Sequence, residues 1–265
     1  MAIALANKLA DQTILITGAS AGIGKSCARY FAEAGGRLIL SARREEKLRA
    51  LADDLKEKYQ TEILLLPLDV QKADAVSHTV KGLPAEWQTI DVLINNAGLS
   101  RGLDRQYEAD LQDWEEMIDT NVKGLLYMTR AVVPGMVERG GGHIINIGSV
   151  AARQTYAGGS VYCATKAAVK VLSEGLKIDL LGTPVRVTNV EPGLVETEFS
   201  EVRFRGDSDR AKKVYSDMTA LTPDDVADVV LFAATRPAHV NISELYVLPT
   251  DQSSATLIHR SPSGA

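Results

Sequence analysis

Tyr162 and Lys166 stand four residues apart in a segment with helical periodicity, a spacing that brings two side chains onto one face of a helix. A tyrosine hydroxyl ordinarily titrates near ~10, so it is a weak acid–base group at neutral pH. A neighbouring ammonium group stabilises the phenolate and lowers its pKa. Ser149 follows residues 144–148, an apolar run typical of a buried strand that ends at a loop. The pattern predicts a serine that holds a substrate oxygen while the tyrosine exchanges a proton with it.

A glycine-rich turn near the start of the chain lies between an apolar, β-branched run and a segment with helical periodicity. Gly18 permits the tight turn, Gly22 lets the backbone approach a pyrophosphate, and Gly24 lets the helix pack closely on the strand. The helix N-terminus supplies unpaired N–H groups for phosphates. Strand, turn and helix in this order predict a dinucleotide-binding site, in which further contacts come from Ser20, Ala21 and Ile23.

Two arginines, Arg43 and Arg44, follow the next apolar run, residues 37–41. A site that prefers NAD places a carboxylate near this point, where it accepts a hydrogen bond from the ribose 2′-hydroxyl. A guanidinium fork suits a 2′-phosphate instead. The alternative is that both arginines merely begin the charged helix that follows. We favour the phosphate interpretation, which predicts NADP as the cofactor.

Together with further segments, these motifs make the chain resemble the short-chain dehydrogenases/reductases over nearly its whole length. The family motif TGxxxGxG corresponds to residues 17–24, NNAG to residues 95–98, and YxxxK to Tyr162 and Lys166. No catalytic position of the family is substituted, which favours an active oxidoreductase over a nucleotide-sensing binding protein on the same scaffold. The resemblance implies that the catalytic residues are Asn121, Ser149, Tyr162 and Lys166.

The resemblance also implies individual roles around the cofactor. Lys166 would tune Tyr162 and bind the nicotinamide ribose, and Asn121 would hold a water that links Lys166 to solvent. Without the family pattern, Asn121 is better interpreted as a helix-interior amide that is satisfied locally. Asn95 is expected to brace the sheet, and the alternative for Asp69 is a cap at a strand end. Other implied cofactor contacts are Asp69, Val70, Asn96, Ala97, Gly98, Tyr162, Lys166, Pro192, Gly193, Val195 and Thr197.

Several segments are similar to one subgroup, the NADP-dependent 3-hydroxy acid dehydrogenases. They are residues 41–48, 83–87, 193–200, 202–206 and 248–252. This subgroup also oxidises serine and L-allo-threonine and reduces malonic semialdehyde, so the resemblance implies a small 3-hydroxy acid as substrate. The alternative within the enzyme class is an NADPH-dependent carbonyl reductase that acts on a bulkier ketone or aldehyde.

A substrate carboxylate would be bound best by a bidentate arginine. Arg153 lies shortly after the catalytic serine, while Arg203 and Arg205 lie in a predicted substrate segment, residues 193–220. We hypothesise that at least one of the three binds the carboxylate; the alternative is that each is a solvated surface residue. The predicted substrate contacts are Ser149, Arg153, Gln154, Tyr156, Tyr162, Arg203 and Arg205.

Composition sets bounds on function. A formal net charge of -5 and the lack of a basic stripe argue against nucleic acid as a partner. No apolar run approaches the ~20 residues of a membrane helix, and residues 1–8 do not resemble a secretory leader. Two cysteines indicate no disulfide framework, so we expect a cytoplasmic protein. The four histidines lack metal-ligand spacing, so no metal is predicted. Ser149 lies outside a nucleophile elbow, which argues against a serine hydrolase.

Strand and helix patterns alternate along residues 1–265 without an internal linker. The predicted fold class is therefore α/β: one Rossmann-type domain with a doubly wound parallel sheet and helices on both faces. A long helix is predicted over residues 114–137, a helix capped by Thr222 begins near residue 223, and residues 253–265 form a polar tail with a frayed end at 261–265. Apolar residues on more than one helix face predict a homotetramer; they are Leu125, Leu126, Met128, Val132, Val169 and Leu172.

Overall fold

The computed structural model describes residues 8–261 of the 265-residue chain. The prediction that the chain starts without a secretory leader therefore concerns residues that, apart from Lys8, lie outside the described part. Residues 262–265 of the predicted frayed end lie outside it as well.

Within residues 8–261, seven parallel strands form one sheet at the centre of the fold. They are β1 Thr13–Thr17, β2 Arg37–Ala42, β3 Ile63–Pro67, β4 Val92–Asn95, β5 Gly142–Ile147, β6 Val185–Pro192 and β7 Glu244–Val247. Their order across the sheet is β3-β2-β1-β4-β5-β6-β7. The chain thus reverses its direction across the sheet between β3 and β4, and the carboxyl ends of β1 and β4 meet at this reversal. Open α/β sheets bind ligands at such a point.

Helices connect the strands and cover both faces of the sheet. They are α1 Gly22–Glu33, α2 Glu45–Tyr59, α3 Ala73–Lys81, α4 Leu111–Ile118, α5 Leu125–Arg139, α6 Ser160–Asp179, α7 Phe199–Arg203, α8 Ser208–Lys213 and α9 Pro223–Ala234. The predicted cap of α9 is confirmed. The Thr222 hydroxyl accepts a hydrogen bond from the Asp225 N–H, and the Asp225 carboxylate accepts one from the Thr222 N–H at 2.7 Å.

Two hydrophobic cores lie on opposite faces of the sheet. Successive side chains of a strand point to opposite faces, so Ile14 and Ile16 of β1 pack with α1, α2 and α9, whereas Leu15 packs with α3 and α5. All three side chains are fully buried. The predicted fold class, a doubly wound parallel sheet with helices on both faces, is confirmed.

The predicted long helix is interrupted where Asn121 lies. A π-helical segment, Asp119–Gly124, joins α4 to α5. A β-carbon at Gly124 would come within 2.7 Å of Val70 Cγ2, so this segment is pressed against the loop after β3. π-Helical turns inside longer helices are frequent at functional sites, and this one brings Asn121 under the turn that follows β4.

The apolar residues offered as evidence of assembly divide into two groups. Leu125, Met128, Val132 and Val169 are buried in the chain's own core, so that part of the prediction is corrected. Leu126 is 40% exposed, and Leu172 is partly buried. Other large apolar side chains on α4, α6 and their flanks are exposed as well; they are Leu111, Ile118, Val171 and Ile178.

The chain end is attached to the segment after β6. Ser261 donates its N–H to the Asp217 carbonyl at 2.9 Å, and Arg260 donates to the carbonyls of Val214 and Ser216. Ile258 forms an antiparallel bridge with Gln252. Within the predicted polar tail, residues 260 and 261 are therefore hydrogen-bonded to the substrate segment.

Candidate active site

The glycine-rich turn between β1 and α1 leaves the helix N-terminus open. Gly18 and Gly22 have φ values of +66° and +51°, a region that favours glycine because it lacks a β-carbon. Ala21 is the N-cap residue of α1, and no side chain caps the helix or places a negative charge in its first turn. Uncapped N–H groups and the positive end of a helix dipole suit an anion. The turn therefore fits the pyrophosphate of a dinucleotide.

Asn96 fixes this turn to the end of β4. Its Nδ2 donates to the carbonyls of Thr17 at 2.9 Å and of Gly18 at 3.2 Å. In return, the Thr17 hydroxyl accepts from the N–H groups of Asn96 and Ala97, both at 3.0 Å. A β-carbon at Gly24 would lie 2.5 Å from the Gly18 carbonyl oxygen. The helix and the turn thus fit together only because this position is glycine.

Arg43 and Arg44 lie at the end of β2, beside the glycine-rich turn. Arg44 donates to the Ser20 hydroxyl, with an Nη2–Oγ distance of 3.1 Å. It also forms an ion pair with Glu198, which a second cation, Lys47, contacts at 2.9 Å. Arg44 is also the N-cap residue of α2, so it both begins that helix and makes these contacts across the turn. Glu198 was missed by sequence reasoning, since it stands far along the chain from both of its partners.

A cavity of about 610 Å³ lies along the carboxyl ends of β1, β2, β4, β5 and β6. Most of the predicted site residues line it: Gly18, Ser20, Ala21, Gly22, Ile23, Arg43, Arg44, Asp69, Val70, Asn96, Ala97, Gly98, Ser149, Tyr156, Tyr162, Lys166, Pro192, Gly193, Val195, Thr197 and Arg203. Five of them do not: Gly24, Asn121, Arg153, Gln154 and Arg205. The structure therefore brings the glycine turn, the predicted catalytic group and one candidate arginine to the same space.

The predicted catalytic side chains converge at the end of β5. Tyr162 and Lys166 lie on α6, and the Lys166 Nζ is 5.9 Å from the centroid of the Tyr162 ring. This ammonium donates to the Ile147 carbonyl at 2.8 Å. Ser149 precedes a 3₁₀ turn, Val150–Ala152, and its hydroxyl accepts from the Ala151 N–H at 3.1 Å. A substrate oxygen can therefore be contacted by the Ser149 and Tyr162 hydroxyls together.

The electrostatics of this group differ from the prediction. Burial raises the pKa of Tyr162 above its ordinary value, with nearby Tyr156 acting in the same direction. The Arg203 guanidinium and the Ser149 hydroxyl act in the opposite direction and do not overcome burial. Burial lowers the pKa of Lys166 to about 8. The net direction for the pKa of Tyr162 in the protein alone is therefore opposite to the lowering predicted from Lys166, because desolvation outweighs the groups that favour the phenolate.

The amide of Asn121 is engaged within the protein. Its Oδ1 accepts from the Leu99 N–H at 2.8 Å, while its Nδ2 donates to the Leu99 carbonyl at 2.8 Å and to the Thr165 hydroxyl at 3.0 Å. This is the alternative interpretation, an amide that is satisfied locally. The amide ties the turn after β4 to α6, and its role with a water stays a prediction.

A chain of buried polar groups underlies α6. Asn95 donates to the Asn146 Oδ1 at 2.9 Å and to the Thr129 hydroxyl at 3.2 Å. Asn146 in turn donates to the Ser173 hydroxyl on α6 at 2.9 Å. The prediction that Asn95 braces the sheet is confirmed.

Two of the three candidate arginines are engaged elsewhere. Arg153 forms ion pairs with Glu191 and Glu244, and Arg205 forms one with Asp113. Neither lines the cavity. The hypothesis that either binds a substrate carboxylate is therefore corrected: carboxylates of the protein already fill that role.

Arg203 is placed differently. Its guanidinium carbon lies 5.2 Å from the centroid of the Tyr162 ring and 5.3 Å from that of Phe199. Its Nη2 donates to the Tyr156 hydroxyl at 2.8 Å, and its Nε is buried without a hydrogen-bond partner. A buried guanidinium N–H that lacks an acceptor is costly. Arg203 thus presents an unsatisfied donor beside Tyr162.

The structure also locates three other predicted positions, Tyr156, Gln154 and Asp69. Tyr156 lines the cavity, whereas Gln154 is exposed and does not. Asp69 lines it and also accepts a local hydrogen bond from the Gln71 N–H at 3.1 Å, so the strand-end interpretation is correct as well. Sequence reasoning missed lining residues whose only signal is proximity in the fold. Among them are Leu99, Leu103, Glu198, Tyr215, Gln252, Ile258 and Arg260.

Residues 8–261 contain no group of three or more histidine, cysteine, aspartate or glutamate side chains arranged to hold a metal ion. Across the same described stretch, no helix combines the length and apolar character needed to cross a membrane.

Known proteins resemble this chain along most of its length. Residues 12–207 match the family model of the short chain dehydrogenases. The NADP-dependent 3-hydroxy acid dehydrogenase YdfG of Salmonella typhi is 54% identical over 250 residues, which cover 94% of this chain and 99% of that protein. The NADP-dependent 3-hydroxy acid dehydrogenase of Schizosaccharomyces pombe is 46% identical over 255 residues, covering 96% and 98%.

A solved structure extends this similarity to the fold. The closed form of serine dehydrogenase complexed with NADP+ superposes with a TM-score of 0.88 at 52% identity, covering 94% of this chain and all of that one. The glycine-rich turn, the Ser149, Tyr162 and Lys166 group and the family match agree. The chain belongs to the short-chain dehydrogenase/reductase family.

Proposed function

We propose that this enzyme transfers a hydride between NADP(H) and the carbon that carries the hydroxyl or carbonyl group of a small 3-hydroxy acid. Substrates of this type are serine, L-allo-threonine, and 3-hydroxypropionate with its oxidation product malonic semialdehyde. One observation carries the proposal: Arg203 lies beside Tyr162 with an unsatisfied buried Nε. A carboxylate is the acceptor that best satisfies a guanidinium group.

NADP is the cofactor, in agreement with the NADP-dependent relatives named above. The open N-terminus of α1 would hold the pyrophosphate, and Arg43 and Arg44 would hold the 2′-phosphate. Lys166 would bind the nicotinamide ribose. When bound, the nicotinamide accepts or supplies the hydride.

Tyr162 would act as the general acid and base. In the oxidation direction its phenolate accepts the proton of the substrate hydroxyl, and in the reduction direction its hydroxyl donates that proton to the forming alkoxide. Ser149 donates a hydrogen bond to the same oxygen and orients it. Since burial raises the pKa of Tyr162, the protein alone keeps this residue protonated at neutral pH, which is the form that reduction requires.

Arg203 would bind the carboxylate at the other end of the substrate. Its Nη2 donates to the Tyr156 hydroxyl, and Arg203 lines the cavity beside Tyr162. A substrate held at both ends places its reacting carbon in one position, and such positioning lowers the entropic part of the barrier. A ketone without a carboxylate gains nothing from Arg203.

The test compares kcat/KM for a small panel of hydroxy acids, alcohols, ketones and aldehydes. The reaction is monitored through the absorbance of the reduced nicotinamide. We expect serine, L-allo-threonine and 3-hydroxypropionate to be oxidised with NADP. Their kcat/KM should exceed that of the corresponding alcohols without a carboxylate. A preference for bulkier ketones or aldehydes would contradict the proposal and support a carbonyl reductase. Equal rates with and without the carboxylate would also contradict it.

We further propose that the enzyme is a cytoplasmic homotetramer. The exposed apolar residues Leu111, Ile118, Leu126, Val171 and Ile178 support burial of α4, α5 and α6 against other copies. Cys27 and Cys163 are buried and unpaired, which agrees with a reducing compartment. Light scattering coupled to size exclusion measures the assembly, and a monomeric mass would contradict this part.

A further inference from the structure

The Glu198 carboxylate forms ion pairs with Lys47 and with Arg44, one of the two arginines proposed to bind the 2′-phosphate. The two oxygens of Glu198 lie 2.9 Å from Arg44 Nη1 and 2.9 Å from Lys47 Nζ. Arg44 simultaneously donates to the Ser20 hydroxyl from Nε and Nη2. Arg44 and Lys47 come from the end of β2 and the start of α2, whereas Glu198 comes from the segment after β6.

This arrangement is an anion site that already contains an anion. Carboxylates and phosphates present their oxygens to a guanidinium group in the same way. A 2′-phosphate that reached Arg44 while Glu198 remained in place would lie against a second negative charge. The three side chains are between 44% and 48% exposed, so solvent reaches the contact and the carboxylate can exchange for another anion.

We propose that Glu198 competes with the 2′-phosphate of NADP for Arg44 and Lys47, and that this competition sets the affinity for the 2′-phosphate. Glu198 is then a specificity-determining residue: it lowers the advantage of NADP over NAD without touching the reacting atoms. The proposal rests on the position proposed above for the 2′-phosphate.

The position of Glu198 makes this effect specific. It directly precedes α7 and follows Thr197, whose side chain lies against Gly22 of the glycine-rich turn. An adenosine phosphate without the 2′-phosphate has no group to place at Arg44, so the Glu198 contacts are retained when it binds. The competition therefore predicts a difference between two nucleotides rather than a general change in binding.

Calorimetric titration with adenosine 2′,5′-bisphosphate and with 5′-AMP tests the proposal without turnover. The full chain, Glu198→Gln, Glu201→Gln and Arg44→Ala are titrated at one low ionic strength, since salt screens exposed charges. Glu201→Gln is the matched control, because it removes the same charge from an exposed residue on α7, the short helix that Glu198 directly precedes. We expect Glu198→Gln to bind the bisphosphate about 3- to 10-fold more tightly, the scale of two exposed ion pairs, with 5′-AMP and the control unchanged.

Other outcomes overturn the proposal. Unchanged or weaker bisphosphate binding by Glu198→Gln would exclude competition, and an equal gain for 5′-AMP or for Glu201→Gln would indicate only a general change of charge. Arg44→Ala separates the two levels of the argument. If it binds the bisphosphate as the unaltered chain does, the proposed 2′-phosphate position fails. If it loses affinity while Glu198→Gln is unchanged, that position stands and only the competition fails.

Discussion

The two walls of the cavity are held in place by different interactions. The sheet wall consists of the glycine-rich turn, residues 95–98, and Tyr162 with Lys166 on α6. It is fixed by buried hydrogen bonds, such as those of Asn96 to the turn and of Lys166 to the Ile147 carbonyl. The segment wall consists of residues 193–221 and 251–261. It is held by charged side chains near solvent, among them Glu198 with Arg44, and also by hydrogen bonds of Tyr215 and Gln252 with the backbone of Val195 and Leu194.

This difference indicates which of the two walls tolerates substitutions. An exposed ion pair contributes about 0–1 kcal/mol, whereas leaving a buried polar group unpaired costs about 1–3 kcal/mol. The exposed ion pairs of the segment wall can therefore be altered at lower cost than the buried hydrogen bonds of the sheet wall. We expect the sheet wall to carry the chemistry and the stability of the site, and the segment wall to adjust affinity.

The largest effect is expected for Tyr162→Phe, on the sheet wall. The variant removes one hydroxyl and retains the ring that packs against Phe199 with centroids 5.7 Å apart. Loss of general acid–base catalysis should lower kcat about 10²- to 10⁴-fold. Tyr107→Phe is the control, since that side chain is 75% exposed. Turnover above a tenth of the original value would break the assignment of chemistry to the sheet wall.

Arg203→Ala should produce the largest effect on the segment wall. A charge-assisted hydrogen bond contributes about 1.5–3 kcal/mol, so KM for a 3-hydroxy acid should rise about 10- to 100-fold, with a smaller change in kcat. Arg205→Ala is the matched control, because its guanidinium is paired with Asp113 and lies outside the cavity. Steady-state kinetics on both variants decide the matter: equal effects would contradict a specific role for Arg203.

A pH profile adds a second measurement on the same variant. The Arg203 guanidinium opposes the burial that raises the pKa of Tyr162. Removing it should raise that pKa further, so the phenolate forms at higher pH. The rising limb of kcat against pH for oxidation should move upward in Arg203→Ala and stay in place in Arg205→Ala. A downward shift would contradict the electrostatic account of the site.

Gly24→Ala should destabilise the sheet wall by a smaller amount. The new β-carbon would lie 2.5 Å from the Gly18 carbonyl oxygen, which is backbone and cannot rotate away. Overpacking of this kind costs about 1–3 kcal/mol of unfolding free energy, measurable by urea titration. Gly141→Ala is the control, since nothing lies within 4 Å of its added carbon. Equal stability of the two variants would show that the turn is more adaptable than its contacts indicate.

Thr222→Ala should give the smallest effect. Thr222 directly follows residue 221 of the segment wall and caps α9 through the reciprocal bonds with Asp225. Losing such a cap costs about 1 kcal/mol, and thermal unfolding followed by circular dichroism measures it. Thr222→Ser keeps the hydroxyl and should remain close to the unaltered chain. A loss as large as that of Gly24→Ala would mean that the two walls are equally sensitive.

The sheet wall could be predicted from the sequence because its signals are local. The apolar run before the glycine-rich turn forms β1, Thr13–Thr17, and the turn glycines follow from neighbouring residues. The contacts of the segment wall could not be predicted, because the residues that pair with it are distant in sequence. Glu198 is 154 residues from Arg44, and Arg205 is 92 residues from Asp113.

Burial is the other quantity that sequence did not supply. Spacing correctly places Tyr162 and Lys166 on α6, but the sign of a pKa shift depends on how much solvent each group loses. The same limit explains the apolar residues of α5. Leu125 and Met128 are buried and Leu126 is exposed, although all three are equally apolar in the sequence.

The buried amide chain from Asn95 through Asn146 to Ser173 has a consequence for redesign of this enzyme. If α6 slid along the sheet by one turn, these amide and hydroxyl groups would lose their partners together, and Tyr162 would move with the helix. The polar chain therefore fixes the position of α6 along β5, and with it the position of Tyr162. Variant libraries that change residues 193–221 to accept new substrates can leave this alignment unchanged. A new substrate specificity can then be selected without a change in the position of Tyr162.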